Sequence, residues 1–521
     1  PAARGGEGPV SRRALISVYD KEGVDAFARG LSELGWELVS SGGTASYLVE
    51  QGLEVTTVED VTQAPEMLGG RVKTLHPRIH AGILARRDLP EHVETLAEHD
   101  IAPIDLVCVN LYPFATVAAE RGRSEAEVVE MIDVGGPSML RAAAKNFAHV
   151  TVVSSPDQYE DVLAELREHG DTTAETRRRL AREAFAASAV YESTIANWFG
   201  DTEPFPEQLT LALRKVTNLS YGENPHQAGA YYREVGARRH LLSQVEQLGG
   251  KELSYNNLVD LEGARRVLRE FVMPAVVIVK HANPCGVAVA ATIEEAWERA
   301  LAADPVSAFG CVAVFNRDVE GELGARVADH FVEVLMAPGF DVEAVEGLRK
   351  KKALRILCDR ERRSETPGER DYKRVLGGML VQERDSDIQD REEMQIVAGE
   401  ISEQQWGDLL FAWRVCKHVS SNAIVIARDL QTIGVGAGQM SRVDSVRIAV
   451  EKAREHGHEL EGAVLASDAF FPFADGPQLA LDTGIAAVIQ PGGSKRDAEV
   501  VSAVAEAGAA MVFTGRRHFR H

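Results

Sequence analysis

Short apolar runs alternate with amphipathic segments along the first part of the chain. The run Ala14–Val18 predicts a buried strand, residues 24–34 place apolar side chains at helical spacing, and Trp36–Ser40 predicts a second strand. Later segments continue the alternation, with strands predicted at 105–111 and 149–153 and a long helix at 173–199. Strands and helices in this order are typical of a parallel α/β layer.

The second part of the chain alternates in the same way. Strands are predicted at Ala275–Val279 and Cys311–Phe315, with a helix between them at Thr292–Ala303. Gly200–Pro206 combines glycine, prolines and acids, which favours a linker. We therefore expect a flexible tail over residues 1–12, one domain over 13–205 and another over 206–521. The charged, poorly periodic segment 351–378 is predicted to be a surface excursion.

The second part contains two short segments that resemble each other. Lys280-His281 precedes the apolar run GVAVA, and Lys417-His418 precedes AIVIA. Each run is followed by a predicted helix and then by a segment that ends in phenylalanine, Ser307–Phe309 or Ser467–Phe470. These two short matches indicate a duplication within the second part.

Composition narrows the function classes. The 521 residues include 57 Lys plus Arg against 79 Asp plus Glu, a net charge of −22. Such an excess repels nucleic acids and anionic membranes, so neither is expected as a partner, and a bound phosphate needs a local basic pocket. The five cysteines show no CxxC spacing, and the apolar runs are too short to span a bilayer. A cytoplasmic protein is expected.

Two glycine-containing turns are candidate anion sites. Ser41-Gly42-Gly43-Thr44 joins a strand to a helix start, where backbone N–H groups can approach a phosphate, or where a plain turn and helix cap suffice. The segment Gly69–Pro77 packs Arg71, Lys73, Thr74 and His76 beside two glycines, which favours an oxyanion site over bland surface charge. Pro77 disfavours a helical His76–His80 metal site.

Several acid–base groups follow predicted strands or begin helices. Asn110 and Tyr112 end a strand, where α/β sites collect polar groups. Asp133 and Lys145 flank a predicted helix, as an ordinary cap and a solvated lysine or as members of a proton-transfer relay with tyrosine.

The second part contains several candidate polar residues as well. Lys280 and His281 end an apolar strand and enter a turn, which could serve one pocket or hold a satisfied histidine beside a solvated lysine. Asn283 and Ala288 stand where a zinc deaminase would need glutamate and cysteine, so no metal is predicted. Three further polar segments accompany this turn: residues 221–227, 434–442 and 516–521.

Taken in order, these motifs closely resemble one family, the bifunctional AICAR transformylase/IMP cyclohydrolase of purine biosynthesis. The resemblance covers nearly the whole chain from about Arg13 to His521. It rests on the segments SGGT, PEMLGGRVKTLHP, NLYPF, IDVGG, RAAAKN, YGENPHQ, VKHANPCG, DPVSAFG, SSNAIVIA, GAGQMSR, SDAFFPF and RHFRH.

The resemblance implies an α/β fold with an N-terminal methylglyoxal-synthase-like parallel-sheet domain and two similar cytidine-deaminase-like subdomains without zinc, divided near residue 380. It implies formyl transfer from 10-formyltetrahydrofolate, the co-substrate, to the amine of AICAR, and closure of formyl-AICAR to IMP. The implied partners are AICAR, formyl-AICAR, IMP, folate and a second copy in a homodimer.

Roles are implied residue by residue. In the cyclohydrolase site, Lys73 would polarise the formyl oxygen while Tyr112, Asp133 and Lys145 move protons. In the transformylase site, His281 would accept the amine proton, and Lys280 would stabilise charge or protonate the folate nitrogen. The implied cyclohydrolase substrate contacts are Ser17, Lys21, Ser41, Gly43, Thr44, Arg71, Thr74, Asn110 and Gly135. The implied transformylase contacts are Tyr221, His226, Asn257, Phe309, Gly310, Asn422, Arg442, Phe470, Arg517 and His521.

Three positions depart from the family pattern. Ser220 and Ala474 stand where arginine is usual, and Tyr19 stands where a small hydroxyl residue is common. These departures leave two alternatives to the bifunctional enzyme. One is a cyclohydrolase with a weakened transformylase half, and the other is a non-catalytic purine-nucleotide sensor.

Overall fold

The structure is a computed structural model that describes residues 12–65, 67–120, 122–200, 203–237, 239–361 and 369–521. The tail expected over residues 1–12 lies outside the described residues except for Arg12. The chain forms two compact units. One runs to Arg214 and includes a short segment that begins at Arg233, and the other contains the rest of the chain.

The first unit alternates strands and helices as the apolar pattern predicts. In chain order its elements are β1 (Arg13–Val18), α1 (Val24–Glu33), β2 (Glu37–Ser40), α2 (Gly42–Glu50), β3 (Thr56–Thr57), α3 (Val58–Thr62), α4 (Pro77–Leu84), α5 (Pro90–Glu98), β4 (Leu106–Asn110), α6 (Phe114–Ala118), α7 (Glu125–Val129), α8 (Gly135–Lys145), β5 (Thr151–Val153), α9 (Tyr159–His169) and α10 (Ala174–Phe199). Thr173 caps α10 with its side chain, which fixes the start of that helix.

The strands of the first unit form one parallel sheet in the order β3-β2-β1-β4-β5. Its central strands are buried, so they are almost wholly apolar rather than alternating. Ser17 lies opposite Val109 and Val18 opposite Asn110 in the β1–β4 register. The carboxyl ends of β1 and β4 therefore meet at one edge of the sheet.

The elements of the second part follow in chain order. They are β6 (Leu213–Leu219), β7 (Gly229–Glu234), β8 (Val245–Gly249), α11 (Tyr255–Leu268), β9 (Ala275–Lys280), β10 (Asn283–Val289), α12 (Ile293–Ala303), β11 (Cys311–Phe315), α13 (Gly321–Ala328), β12 (Val332–Ala337), α14 (Val342–Arg349), β13 (Arg355–Asp359), β14 (Arg370–Val375), β15 (Gly378–Glu383), β16 (Gln395–Ala398), α15 (Glu403–Cys416), β17 (Ile424–Arg428), β18 (Gln431–Gly436), α16 (Arg442–Glu455), β19 (Val464–Ser467), α17 (Asp475–Leu481), β20 (Ala487–Gln490), α18 (Asp497–Glu506) and β21 (Ala510–Phe513).

A mixed sheet of 12 strands forms the centre of the second unit, in the order β16-β21-β20-β19-β17-β18-β10-β9-β11-β12-β13-β8. Two antiparallel pairs, β14–β15 and β6–β7, form separate small sheets. The expectation of a surface excursion over residues 351–378 is wrong for β13, which pairs with β12 and β8. The side chains of Ile356, Leu357 and Cys358 are buried there, in a short apolar stretch that charged residues flank on both sides.

The large sheet contains the same arrangement twice. A hairpin, helix, strand, helix, strand, helix and strand follow α11 in the first copy (β9–β13) and α15 in the second (β17–β21). The two copies meet where β10 pairs with β18, and the strand order outward from that seam is the same on both sides. The duplication indicated by the sequence is thus visible in the topology.

The two copies match residue by residue at their hairpins. The two-residue turn His281-Ala282 corresponds to Asp429-Leu430, and all four residues have positive φ of 52–60°. An aspartate of the preceding helix accepts a backbone N–H of each turn, Asp260 from Ala282 at 2.6 Å and Asp408 from Leu430 at 2.7 Å. Lys417-His418 precedes β17 rather than following it, so this pair is not the counterpart of Lys280-His281.

We predict that the glycines of the two hairpins are equally intolerant of alanine. A Cβ at Gly286 would lie 2.0 Å from the carbonyl oxygen of Ala300, and one at Gly434 would lie 2.1 Å from that of Ala449. Because the obstruction is helix backbone, each substitution should destabilise the fold by about 3 kcal/mol or more. Gly347→Ala is the control, since its Cβ would meet nothing within 4 Å. Equal unfolding midpoints for all three variants would contradict this account.

Candidate active sites

The first candidate site lies at the carboxyl edge of the five-stranded sheet. The hydroxyl of Thr44 donates to the carbonyl of Val18 at 2.9 Å and accepts its N–H at 3.1 Å. The Asn110 side chain accepts the N–H groups of Tyr19 and Asp20 and donates to the Asp20 carbonyl. The loop after β1 is therefore tied to both α2 and β4, with Ser17 on the strand beneath it.

A helix start and an ammonium group converge at this edge. Ser41 is the extended N-cap of α2, and its side chain makes no cap hydrogen bond. Gly42 has φ of 52°, and Gly43 beside it is exposed. Lys21 donates to the carbonyls of Val18 and Tyr19, and burial lowers its pKa. Exposed N–H groups beside a cation suit an anionic group such as a phosphate.

The Gly-Gly-Arg-Val-Lys-Thr segment supplies a second cluster, held by acids that the sequence reasoning did not identify. Lys73 lies 3.1 Å from a carboxylate oxygen of Glu59, and Arg71 pairs with Glu130. Thr74 is buried against the start of α8, where a Cβ at Gly135 would lie 2.4 Å from its hydroxyl oxygen. Gly135 is therefore needed for the close approach of the segment to α8.

Two titratable side chains, Asp133 and Tyr112, lie near each other in this site. Asp133 accepts the N–H of Gly136 at 2.8 Å and so pairs a backbone group in the first turn of α8, although the N-cap position itself is Val134. Burial raises the pKa of Asp133. Burial also raises the pKa of Tyr112, with further contributions from nearby Asp133 and Tyr19. The rings of Tyr112 and Tyr19 are 5.4 Å apart, so the unusual Tyr19 lies within the site.

Tyr191 supports Asp133 from α10. Its hydroxyl accepts the N–H of Asp133 at 2.7 Å and donates to the carbonyl of Met131 at 3.1 Å, and burial raises its pKa to about 12. No sequence motif indicated it, because the contact spans 58 residues.

Lys145 lies elsewhere on α8. The helix begins at Gly135 and ends at Lys145, so about 15 Å of helix separates the Asp133 end from this exposed lysine. Asp133 and Tyr112 are brought together with Thr74 and Gly135, whereas Lys145 is not joined to them within one chain.

The second candidate site surrounds the first hairpin of the large sheet. Lys280, the last residue of β9, donates to the carbonyls of Phe309 and Gly310 at 3.1 and 2.7 Å. Gly310 has φ of 71°, which brings its carbonyl side close to the lysine. His281 follows in the exposed turn held by Asp260, whose pKa is raised by burial. An ammonium and an accessible imidazole thus share one turn.

A buried polar network lies in the second copy near this turn. Arg442 pairs with Asp468 and donates to the hydroxyl of Ser467 at 2.9 Å and to the side-chain oxygen of Asn422 at 2.7 Å. The Asn422 amide donates to the Gln439 carbonyl at 2.8 Å. Asn283, two residues after His281, accepts the Ser420 N–H at 2.8 Å, which ties the turn to the loop of Asn422. Arg442 and Asn422 shape this loop from within.

Tyr221, His226 and Asn257, which are also expected at this site, lie near the start of α11. Tyr221 accepts the N–H of Tyr255 through its carbonyl, which places the exposed His226 segment at the start of α11. Asn257 is buried there and donates to Glu333 at 3.1 Å. Ser220 donates its N–H and hydroxyl to the Leu253 carbonyl, 3.2 and 3.4 Å away.

Exposed aromatic rings also belong to this unit. Phe309 is 69% exposed beside the carbonyls that hold Lys280, and Phe470 is 37% exposed. In the C-terminal segment, Arg517 stacks on Phe519 at 4.5 Å, and the Phe519 ring lies 5.5 Å from that of His521. These faces offer stacking surface for a flat heterocycle.

The side chains of the two candidate sites are suited to proton transfer and to the binding of anions. Within the described residues, no group of three or more His, Cys, Asp or Glu side chains is arranged to hold a metal ion. Across the part of the chain that the structure describes, no helix has the length and apolar character needed to cross a bilayer.

Comparisons with known proteins agree with this geometry. Residues 143–452 match the family model for the AICARFT/IMPCHase bienzyme, and residues 23–138 match that for an MGS-like domain, which confirms the expected N-terminal fold. The "Bifunctional purine biosynthesis protein PurH" of Persephonella marina is 49% identical over 521 residues, covering 98% of this chain and 100% of that protein. The protein of the same name from Neisseria meningitidis is 49% identical over 532 residues with the same coverage. A structure titled "Crystal structure of ForH" aligns with 36% of this chain and 100% of its own, at 41% identity and a TM-score of 0.34.

We predict that Asp133→Asn stabilises the protein at neutral pH. Burial raises the pKa of Asp133, so ionising this carboxyl costs the folded state free energy. The cost is absent at acidic pH and appears as pH rises above the ordinary aspartate value near 3.9. Asparagine keeps the acceptor for Gly136 N–H, whereas Asp133→Ala removes it. The variant's thermal midpoint should exceed the parent's by more at neutral pH than near pH 4, and the reverse trend would contradict the assignment.

Proposed function

We propose that this chain, which belongs to the AICARFT/IMPCHase bienzyme family, catalyses the last two steps of purine-nucleotide synthesis. It transfers a formyl group from 10-formyltetrahydrofolate to the amine of AICAR and then closes formyl-AICAR to IMP. The observation that carries this function is the combination of two neighbouring residues. Lys280 is held by the carbonyls of Phe309 and Gly310, and His281 follows it in an exposed turn. Binding alone does not need this combination.

Formyl transfer joins the AICAR amine nitrogen to the formyl carbon and breaks the bond from that carbon to N10 of the folate. His281 accepts the proton that the amine loses, and Lys280 stabilises the developing charge or protonates the departing nitrogen. The exposed rings of Phe309 and Phe470 fit the flat folate ring system by stacking. The chemistry needs no metal.

The predicted AICAR contacts surround this turn. Gly310 holds Lys280, and Asn422 and Arg442 order the facing loop. Tyr221 and Asn257 lie at the start of α11. We assign direct substrate contact to a larger set: Tyr221, His226, Asn257, Phe309, Phe470, Arg517 and His521.

Ring closure occurs in the first unit. The carboxamide nitrogen attacks the formyl carbon of the same molecule, and water leaves, so holding the two ends together supplies much of the acceleration. Lys73 polarises the formyl oxygen, while Tyr112 and Asp133 move protons. Burial raises the pKa of Asp133, which favours its service as a proton carrier. Lys145 is assigned to the same step, although within one chain it lies at the far end of α8.

The phosphate-bearing end of the nucleotide binds at the carboxyl edge of the parallel sheet. The α2 start and the Lys21 ammonium support this placement. The residues assigned to nucleotide binding are Ser17, Lys21, Ser41, Gly43, Thr44, Arg71, Thr74, Asn110 and Gly135. The cyclohydrolase domain is assigned to residues 13–205 and the transformylase domain to 206–521, divided near 380.

The chain acts as a cytoplasmic homodimer in this proposal. Phe309 and Phe331 lie in contact with their rings tilted and their centres 4.9 Å apart, and they are 69% and 46% exposed beside Lys280. They form an apolar surface that a second copy would cover. Analytical ultracentrifugation should give about twice the chain mass of 56.7 kDa. A monomer that turns over normally would contradict the dimer.

The first experiment is to incubate the protein with AICAR and 10-formyltetrahydrofolate and to identify the products by chromatography. IMP is expected. Failure to form IMP from AICAR, with formation from supplied formyl-AICAR, would favour the weakened transformylase. AICAR binding without turnover of either substrate would favour the sensor.

We predict that the two activities separate by mutation. Lys280→Ala and His281→Ala should each lower formyl transfer by at least about 100-fold, because acid–base groups typically contribute that much. Closure of supplied formyl-AICAR should be unchanged in both variants. Lys73→Ala should do the reverse, so that formyl-AICAR accumulates. Parallel loss of both activities in any of the three would refute the two-site assignment.

We predict that Ser220→Arg tightens AICAR binding. Ser220 stands where a cation is usual, and its present hydrogen bonds are to a backbone carbonyl. A charged hydrogen bond to phosphate is worth about 1.5–3 kcal/mol, so the KM for AICAR should fall roughly tenfold or more. Ser220→Gln is the control, because glutamine lengthens the side chain without adding a positive charge. An equal effect of both substitutions, or none, would show that the AICAR phosphate does not bind there.

A further inference from the structure

The turn that presents His281 is held from outside its own hairpin by the C-terminal segment. A guanidinium nitrogen of Arg520 donates to the carbonyl of Ala282 at 2.8 Å and to that of His418 at 2.5 Å. The Ala282 contact spans 238 residues. One side chain therefore joins the catalytic turn of the first copy to the loop that leads to Asn422 in the second.

The same turn is held from its other side by Asp260. Its carboxylate accepts the N–H of Ala282 at 2.6 Å, so the peptide groups of the turn meet an anion at their N–H and a cation at their carbonyl. Two residues with positive φ need such support, because side chains other than glycine rarely adopt this conformation.

The C-terminal segment is itself docked rather than loose. The N–H of His518 donates to the Asp468 carbonyl at 3.0 Å, and the N–H of Ser421 donates to the Arg520 carbonyl at 2.9 Å. Burial lowers the pKa of Arg520, and nearby Arg266 adds to this. Arg520 is thus fixed in place and half-buried.

The second copy provides an internal comparison. Its turn, Asp429-Leu430, has the same backbone conformation and the same aspartate anchor, Asp408. The Leu430 carbonyl, however, accepts the backbone N–H of Val289 at 2.9 Å. The second turn also has an arginine, Arg299, but it donates to the carbonyl of Asp429, the first residue of that turn. An arginine on the carbonyl of the second turn residue is therefore a feature of the copy that carries Lys280 and His281.

We propose that Arg520 is a positioning residue for formyl transfer, which orients the His281 turn through the Ala282 carbonyl and does not touch substrate. This inference rests on the proposed role of His281. A displaced imidazole still leaves the substrate pocket formed, so the loss should fall on kcat rather than on the KM for AICAR.

The test compares Arg520→Ala, His281→Ala and the double variant in the full-length chain. Arg520→Ala should lower the kcat of formyl transfer roughly 100-fold, as expected for an imidazole displaced by about 1 Å, with the KM for AICAR little changed. Closure of formyl-AICAR should be unaffected, because it takes place in the first unit, and the thermal unfolding midpoint reports whether the second unit folds. Arg516→Ala is the matched control, since Arg516 pairs on the surface with Asp387 and Glu393 and should retain full activity.

The double variant separates positioning from general support of the fold. If Arg520 acts through His281, the double variant should be no slower than His281→Ala, whereas independent effects would multiply. Normal activity of His281→Ala would overturn the proposed function. Loss in His281→Ala but a kcat within twofold of the parent in Arg520→Ala would overturn only the positioning role. A main effect on the KM for AICAR would make Arg520 a substrate contact and also overturn it.

Chemical rescue adds a second readout. Arg520 lines a cleft of about 310 Å³ that is also bordered by Arg266, Glu262 and Tyr255, so the truncated side chain leaves open space. Guanidinium chloride at tens of millimolar should restore formyl transfer to Arg520→Ala, and equal sodium chloride should not. If the alanine variant fails to fold, Arg520→Lys serves instead, with an intermediate kcat and an unchanged KM expected. No rescue, or a lysine variant with full activity, would overturn the proposal.

Discussion

Both units depend on pairing the backbone groups where buried strands end. A buried peptide N–H or carbonyl without a partner costs about 1–3 kcal/mol, and the central strands of both sheets carry few polar side chains. The partners come from neighbouring elements: Thr44 and Asn110 at β1, and Asp260 and Arg520 at the β9–β10 turn. The candidate sites lie at these strand ends because polar groups are required there.

Duplication explains how the second unit could acquire a site without losing its frame. The two hairpins, their aspartate anchors and the glycines against the following helices are equivalent, so the fold supports either turn alike. Only one turn presents lysine and histidine, and the other presents Asp429 and Leu430 beside Arg428. The proposed formyl transfer therefore depends on the side chains that one copy carries and on the contacts that the other copy and the C-terminal segment make to it.

Local pattern was sufficient for much of the architecture. The predicted strand Cys311–Phe315 and the helix following Thr292 have their predicted positions because five buried residues and a capping threonine are local signals. β13 was missed because its three buried apolar residues are too few to show a period among charges. Aligning the two copies by their shared Lys-His pairs gives the wrong register. Lys417-His418 precedes the strand β17, whereas Lys280-His281 lies at the end of the strand β9. Tyr191 and Glu59 were missed because they belong to no motif and their contacts lie outside the local pattern. Arg520 stands in the RHFRH segment, but its contact with Ala282 spans 238 residues, so no local pattern indicates that contact.

The energetics of the His281 turn favour a site that is formed before substrate binds. Left-handed backbone costs roughly 1–2 kcal/mol for each residue that is not glycine, so His281 and Ala282 together cost about 2–4 kcal/mol. Hydrogen bonds to charged groups contribute about 1.5–3 kcal/mol each, and the turn has one from Asp260 and one from Arg520. The two sums are comparable, so the turn is held without help from a ligand. Removing either charged partner shifts the balance toward other turn conformations, which displace the imidazole of His281.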